Sequence, residues 1–282
     1  MDKLGFRTVR AMPAAAKAPV EVAKETSAAA ARVEIGVDPP VARLNLQHPP
    51  HNVIDIAMME ELAHAIEQVE ADPAIAAVVI GGTEKAFSAG VDVAAHTPDK
   101  AEEMLSKFHG VILKLVQSKK VTIAAVRGHC LGGGAELAMV CDLVYTAESA
   151  TWGFPEIKLG CYPPVAATAL AAVVGQKRAA DLMFTGRNFS GREAADIGLA
   201  NAAVGDKELE GTIEETLESL KKLSPAALAV AKKAFYAWDS VHFDKGLARA
   251  EKVYLEDLMK TEDAHEGIKA FMEKRQPVWK GK

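Results

Sequence analysis

Residues 122–137 read Thr-Ile-Ala-Ala-Val-Arg-Gly-His-Cys-Leu-Gly-Gly-Gly-Ala-Glu-Leu. A short apolar strand, Thr122–Val126, runs into Gly128 and a triple glycine, and a helix opens after them. Such a context suits a phosphate loop, but the residues argue against one. A Walker loop needs Lys and then Ser or Thr after its last glycine, where Ala135 and Glu136 stand. A dinucleotide fingerprint built on Gly132 and Gly134 needs glycine or alanine at Leu137, and a carboxylate one turn into the helix repels phosphate. An oxyanion site fits better. The glycines let amide N–H groups approach a ligand closely, and the helix N-terminus adds positive potential. A second turn, Phe87-Ser88-Ala89-Gly90-Val91-Asp92, offers another donor. Two amides on one carbonyl oxygen stabilise an enolate-like transition state. Two plain strand–helix turns fit this spacing equally well.

Working outward, Val33–Ile35 and Val41–Leu46 alternate at period two around Pro39-Pro40, as a half-buried hairpin does, and Pro49-Pro50 ends it. Asp55 is placed to cap a helix with apolar positions Met58, Leu62, Ile66 and Val69. Ala76–Ile80 reads as a buried strand, residues 100–117 as a helix and Leu143–Tyr145 as a further strand. After residue 165 the pattern is helical: Val165–Val174, Gln176–Phe184, Gly191–Gly198, Lys207–Leu223, Ala226–Trp238 and Lys245–Met259. The expectation is an α/β body with a helical C-terminal part. Periodicity alone does not separate a doubly wound sheet from a spiral of ββα units. The domain reading is a flexible N-terminal extension at 1–31, a core at 32–223 and a helical region at 224–282. Residues 1–31 are rich in Ala, Lys and Pro without periodicity. Arg7 and Arg10 suit a transit peptide, whereas Asp2, Glu21 and Glu25 weigh against it.

The chain has 282 residues, 49% of them hydrophobic, with net charge −5 and pI about 5.9. That balance argues against a general nucleic-acid or anionic-membrane binder. The charge is uneven: residues 269–282 carry five basic groups and one acidic, while 33–268 sum to −12. A partner bearing several phosphates therefore finds its best local complement near the C-terminus. Three cysteines (Cys130, Cys141 and Cys161) form no Cys-x-x-Cys pair, which points to a reducing, cytoplasmic compartment. His48 and His51 lack acidic neighbours suited to a metal, so no metal site is expected. The Gly-x-Ser-x-Gly elbow of serine hydrolases is missing. The longest uncharged run, 159–176, is broken by Gly160, Pro163 and Pro164, and its continuously apolar part, Val165–Val174, is too short to span a bilayer.

Two carboxylates narrow the choice. Glu136 lies among Leu137, Ala138, Met139 and Val140, and Glu156 sits in Trp152-Gly153-Phe154-Pro155-Glu156-Ile157. Buried acids are costly unless paired or functional, and desolvation lifts their pKa toward neutrality. Two such acids facing one water act as general base and general acid. A helix-capping Glu136 with a surface Glu156 is the plainer reading.

Three segments together resemble the crotonase (enoyl-CoA hydratase/isomerase) superfamily. They are Lys85–Asp92, the run Ile123–Asp142 with its Gly128-x-x-Leu131-Gly132-Gly133-Gly134-x-Glu136-Leu137 core, and Phe154-Pro155-Glu156-Ile157-x-Leu159-Gly160. Leu182–Ala194 and Phe271-Met272-Glu273-Lys274-Arg275-x-Pro277 extend the likeness over about 33–279. The resemblance implies a crotonase-like spiral of ββα units with a helical C-terminal trimerisation region, as a homotrimer or homohexamer. It places oxyanion amides at Val91 and Gly133 and catalytic acids at Glu136 and Glu156. Ala89, Gly90, Asp92, Gly132, Trp152, Phe154, Tyr162 and Pro163 fall at substrate-binding positions, and Phe271 and Lys274 near CoA. The implied partner is an acyl-CoA thioester, with neither nucleic acid nor membrane involved. No cofactor is implied, since CoA is part of the substrate. Members that only isomerise keep the acid matching Glu156 and lose the other, so both acids favour water addition. The chain departs from the usual hydratases at Cys161-Tyr162-Pro163-Pro164, at Phe154 and at Val91. With Asn52–Leu62, these departures make it similar to the cyclohexa-1,5-diene-1-carbonyl-CoA hydratases.

Overall fold

The computed structural model describes residues 31–236 and 239–282. The extension expected at 1–31 lies outside the described residues except for Ala31, as does Trp238 at the end of an expected helix. In chain order the elements are β1 (Val33–Asp38), β2 (Val41–Leu46), α1 (Ile56–Ala71), β3 (Ala77–Gly81), β4 (Ala86–Ser88), α2 (Ala101–Gln117), β5 (Val121–Val126), β6 (His129–Leu131), α3 (Gly133–Met139), β7 (Leu143–Ala147), β8 (Thr151–Gly153), α4 (Pro164–Val174), α5 (Gln176–Thr185), β9 (Asn188–Ser190), α6 (Gly191–Asp196), β10 (Ala202–Val204), α7 (Leu209–Leu220), α8 (Pro225–Tyr236), α9 (Asp239–Glu256) and α10 (Glu262–Met272).

A six-stranded sheet runs β1-β2-β3-β5-β7-β10, and a four-stranded one runs β4-β6-β8-β9. Among the strands of the described residues, only β1–β2 and β8–β9 pair antiparallel. The units β3-β4-α2, β5-β6-α3 and β7-β8-α4 each give one strand to the large sheet and one to the small, followed by a helix. This is the repeating spiral, and it settles the alternative that periodicity left open.

The large sheet is covered on both faces, which explains why Ala76–Ile80 is apolar without alternation. Ala77, Val79, Ile123 and Ala125 pack against Leu209, Ile213 and Leu217 of α7. Val78, Ile80, Ala124 and Val126 join the main core with α1 and α2. Asp55 does cap α1, its Oδ1 accepting from the Met58 amide at 2.9 Å. The three-residue strands β4, β6, β8, β9 and β10 are too short to show a period, and the expected list of elements lacks them. It also lacks α10, and the helix expected at Lys245–Met259 is α9, which starts earlier and ends at Glu256.

Candidate active site

Each glycine turn is built at the end of a small-sheet strand. The first follows β4 and is pinned by Asn52, a fully buried residue at φ 49°. Its side-chain amide donates to the carbonyls of Ala86 (2.9 Å) and Phe87 (3.2 Å), and its Oδ1 accepts from the His48 amide. Ile54 then brackets the turn, donating to Gly90 O at 2.9 Å and accepting from the Asp92 amide at 3.1 Å. A parallel bridge of this kind engages the residues flanking Val91 and turns the Val91 amide the other way. The second turn follows β6, where the Gly132 amide donates to Gly153 O at 2.9 Å and α3 starts at Gly133. As the first residue of its helix, Gly133 has no intrahelical acceptor. Among the described residues neither the Val91 nor the Gly133 amide donates to a protein acceptor. The turns touch: a Cβ added to Gly133 would sit 3.4 Å from the Val91 amide nitrogen and 2.7 Å from its Cγ2.

Glu136 is 3% exposed, and its Oε1 accepts from the Ala166 amide at 2.9 Å. Helix α4 begins with Pro163-Pro164 and has no side-chain cap of its own, so Glu136 supplies one from a neighbouring helix. It is thus a cap, though not of the helix that carries it. Burial outweighs these amide contacts and pushes the Glu136 carboxyl up to about 7. Glu156 lies in the 3-10 turn Pro155–Leu159. The residue is half-buried, but its Oε2 is shut off from solvent and has no hydrogen-bond partner. Burial first, and then the Glu136 charge, push its carboxyl well above the usual range. Gly132 marks where this carboxyl comes to rest: at φ 51°, an added Cβ would stand 2.5 Å from Glu156 Oε1.

Both acids and both amide turns line one cavity, together with Ala89, Gly90, Gly132, Tyr162 and Pro163 of the expected set. Three expected residues do not line it. Trp152 is fully buried, its indole donating to Thr146 Oγ1 at 3.0 Å and its ring stacked on Phe189, so it is core. Phe154 is likewise fully buried in the core. Asp92 turns to the backbone, its Oδ1 accepting from the Ala94 amide to cap the 3-10 turn Val93–His96. The resemblance alone put these three at the substrate, and the structure gives Trp152 and Phe154 to the core and Asp92 to its own loop.

Phe271 and Lys274 lie exposed at the end of α10, outside that cavity. The start of α10 packs on the Glu156 turn, where a Cβ on Gly160 would meet Asp263 O at 2.8 Å. The basic tail is less free than its composition implies. Arg275 pairs with Glu266 and Glu273, and Lys280 and Lys282 pair with Glu262. Lys274 has no ion-pair partner among the described residues.

The sequence reading missed the apolar wall and two polar residues. Met104, Leu105 and Phe108 of α2 line the cavity, as do His96 and Tyr254. His96 Nδ1 contacts Asp92 O at 2.9 Å, and burial lowers its pKa, keeping the imidazole neutral. Tyr254 arrives from α9, nearly 100 residues from Glu156 in sequence, with no motif to announce it.

Residues 37–282 match the family described as Enoyl-CoA hydratase/isomerase. A cyclohexa-1,5-dienecarbonyl-CoA hydratase of Thauera aromatica is 36% identical over 245 residues, covering 87% of this chain and 95% of the relative. A probable enoyl-CoA hydratase of Bacillus subtilis is 35% identical over 257 residues, 88% of this chain and 98% of the relative. Among solved structures, a carnitinyl-CoA hydratase from Mycobacterium avium superposes with TM-score 0.79 at 32% identity, covering 89% of this chain and 99% of that one. An enoyl-CoA hydratase from Mycobacterium avium subsp. paratuberculosis gives TM-score 0.80 at 25% identity over the same shares. Profile, relatives and spiral agree, and the chain belongs to the enoyl-CoA hydratase/isomerase family.

Proposed function

We propose that this protein reversibly adds water to a conjugated acyl-CoA thioester, with cyclohexa-1,5-diene-1-carbonyl-CoA as the acyl substrate and 6-hydroxycyclohex-1-ene-1-carbonyl-CoA as the product. One observation carries this reading: two buried carboxyls and two amides that have no protein acceptor among the described residues meet in one cavity. The Val91 and Gly133 amides hold the thioester oxygen and the enolate charge that develops on it. Glu136, titrating at about 7, is substantially ionised near neutral pH and takes a proton from water. Glu156, held well above the usual range, stays protonated and gives its proton to carbon. In the cyclic diene, conjugation separates the carbon that receives hydroxyl from the one that receives the proton. No cofactor enters this scheme.

The ring is favoured by the wall of Phe108, Leu105, Tyr162 and Pro163 and by the likeness to the Thauera aromatica relative. The second reading, a general 2-enoyl-CoA hydratase, draws on the Bacillus subtilis relative. A thioester or ring hydrolase would release a free acid or a ring-opened product, which mass spectrometry distinguishes from water added to an intact thioester. Phe271 and Lys274 are proposed to meet CoA. The exposed Val230 and Phe235 of α8 support assembly as a homotrimer or homohexamer, which light scattering measures. Three free buried cysteines fit a cytoplasmic setting. The deciding experiment is a panel of CoA esters followed by loss of conjugated absorbance. The dienoyl ester is expected to turn over fastest. A clear preference for crotonyl-CoA removes the ring and leaves hydration standing, and no hydration of any ester overturns the reading.

A further inference from the structure

The cavity that holds the two acids has a volume of 80 Å³, and a second cavity of 780 Å³ lies close by. Among the described residues, Tyr162 is the one that lines both. The larger cavity runs between α4 and α9, with Ala169 and Val173 on one side and Phe243, Ala250 and Val253 on the other. The backbone at Tyr162 is constrained by its neighbours. A residue before proline is held extended, Pro163-Pro164 follows, and the Cys161 amide donates to Glu156 O at 3.0 Å. The ring is then fixed along α9. Its hydroxyl donates to Ala250 O at 2.6 Å, and its edge meets the Tyr254 ring with centroids 5.4 Å apart. Ala250 and Tyr254 are one helical turn apart on the same face, about 6 Å along the axis. Ala250 lines the large cavity and Tyr254 the small one, so the Tyr162 ring spans the boundary between them.

We propose that the Tyr162 side chain is the partition that limits this protein to compact acyl groups, by closing the acid-bearing cavity against the larger one. This rests on the acyl-CoA binding in the reading above and adds the size class of the acyl group and the residue that sets it. A straight acyl chain gains about four-fold in affinity for each methylene it buries, but only where apolar space receives it. That space lies past Tyr162. With the ring in place, a chain longer than the cavity meets an aromatic wall tied to α9 at its hydroxyl and packed on Tyr254. With the ring removed, the same chain reaches the apolar sides of α4 and α9. The partition therefore favours a ring, which is short and broad, over a long straight chain.

Saturated acyl-CoA esters, which cannot be hydrated, test the partition through binding to the full chain, from butyryl to dodecanoyl, by calorimetry. In wild type, affinity is expected to climb as far as hexanoyl-CoA and then to level or fall. A steady climb to dodecanoyl-CoA overturns the partition, and this series decides the matter even where a variant does not fold. Tyr162→Ala is expected to shift the ratio of dodecanoyl to hexanoyl affinity at least about 10-fold toward the long chain. Tyr162→Phe, which loses only the bond to Ala250 O, should hold the wild-type ratio within about three-fold. An unchanged ratio in folded Tyr162→Ala overturns the proposal. Adding Ala169→Phe to Tyr162→Ala puts a ring into the second cavity and should return the ratio toward wild type. A gain that persists in the double variant shows that the chain runs elsewhere and contradicts the proposal. Hydration is read separately: a wild-type protein that shows the expected length profile and hydrates no enoyl ester loses the hydration reading and keeps the partition. Binding of none of these esters removes both.

Discussion

The α3–α4 junction holds Glu136 and the 3-10 turn Pro155–Leu159 holds Glu156, and the two regions treat a carboxyl very differently. Glu136 stands on a fully buried helix with one oxygen fixed by the Ala166 amide. Glu156 stands on a short turn braced by α10, with one oxygen against Gly132 and the other without a partner. Burial raises both pKa values; the Ala166 and Val165 amides draw Glu136 back to about 7, whereas Glu156, with only its own amide and with the Glu136 charge beside it, lies well above its usual range. The lesson is that one cavity holds its two acids differently: Glu136 caps the N-terminus of α4, and Glu156 leaves an oxygen without a partner.

The comparison breaks most sharply if the acids are exchanged for amides. Glu136→Gln and Glu156→Gln are each expected to lower kcat about 10²–10⁴-fold, measured by absorbance on the preferred ester. Full activity in Glu136→Gln would turn the assignment to an isomerase that uses Glu156 alone. Next in size is Gly132→Ala. The new Cβ has a strained φ and displaces the Glu156 carboxyl, and a misplacement near 1 Å is expected to cost about 10²-fold in kcat. Wild-type kcat in this variant would show that Glu156 need not rest there.

Stability sharpens the contrast with a smaller effect. An acid whose folded pKa lies above its unfolded value of about 4.5 binds its proton more tightly when folded. Its contribution to stability is therefore greatest at low pH and declines as pH rises from about 4.5 through about 7. Glu136→Gln, which removes this penalty, should raise Tm at pH 8 relative to wild type by roughly 2–4 °C for each kcal/mol relieved, and by less at pH 5. Calorimetry at the two pH values checks the sign, and a larger gain at pH 5 would refute it. The smallest effect belongs to the tail. Lys274→Ala should raise KM no more than about five-fold, in keeping with one exposed ion pair to a phosphate, and less so at high salt.

Much of this arrangement is legible in the residues because it is local. Gly132, Gly133 and Glu136 are neighbours on one strand–helix turn, and Ser88–Asp92 is another such turn, so composition and order reveal them. Glu156 announces itself as an acid in an apolar run. What escapes notice is tertiary. Tyr254 and the α2 residues Met104, Leu105 and Phe108 carry only helical periodicity, which core and cavity positions share. The family resemblance placed Trp152 and Phe154 at the substrate, when their environment is core. The cap from Glu136 to α4 joins residues 30 apart and has no sequence signature. For the fold, β1 and β2 show as alternating runs and β3, β5 and β7 as apolar ones, whereas β4, β6, β8, β9 and β10, at three residues each, are defined by their partners alone.

The convergence of the two acids is tested most directly by following the Glu156 side-chain 13C resonance through a pH titration, in wild type and in Glu136→Gln. A carboxyl that titrates well above 4.5 in wild type and moves down in the variant is expected. It should still stop above 4.5, because burial is the larger cause and the neighbouring charge the smaller. Titration at an ordinary carboxylate pH, indifferent to Glu136, would mean that the two side chains do not share a site.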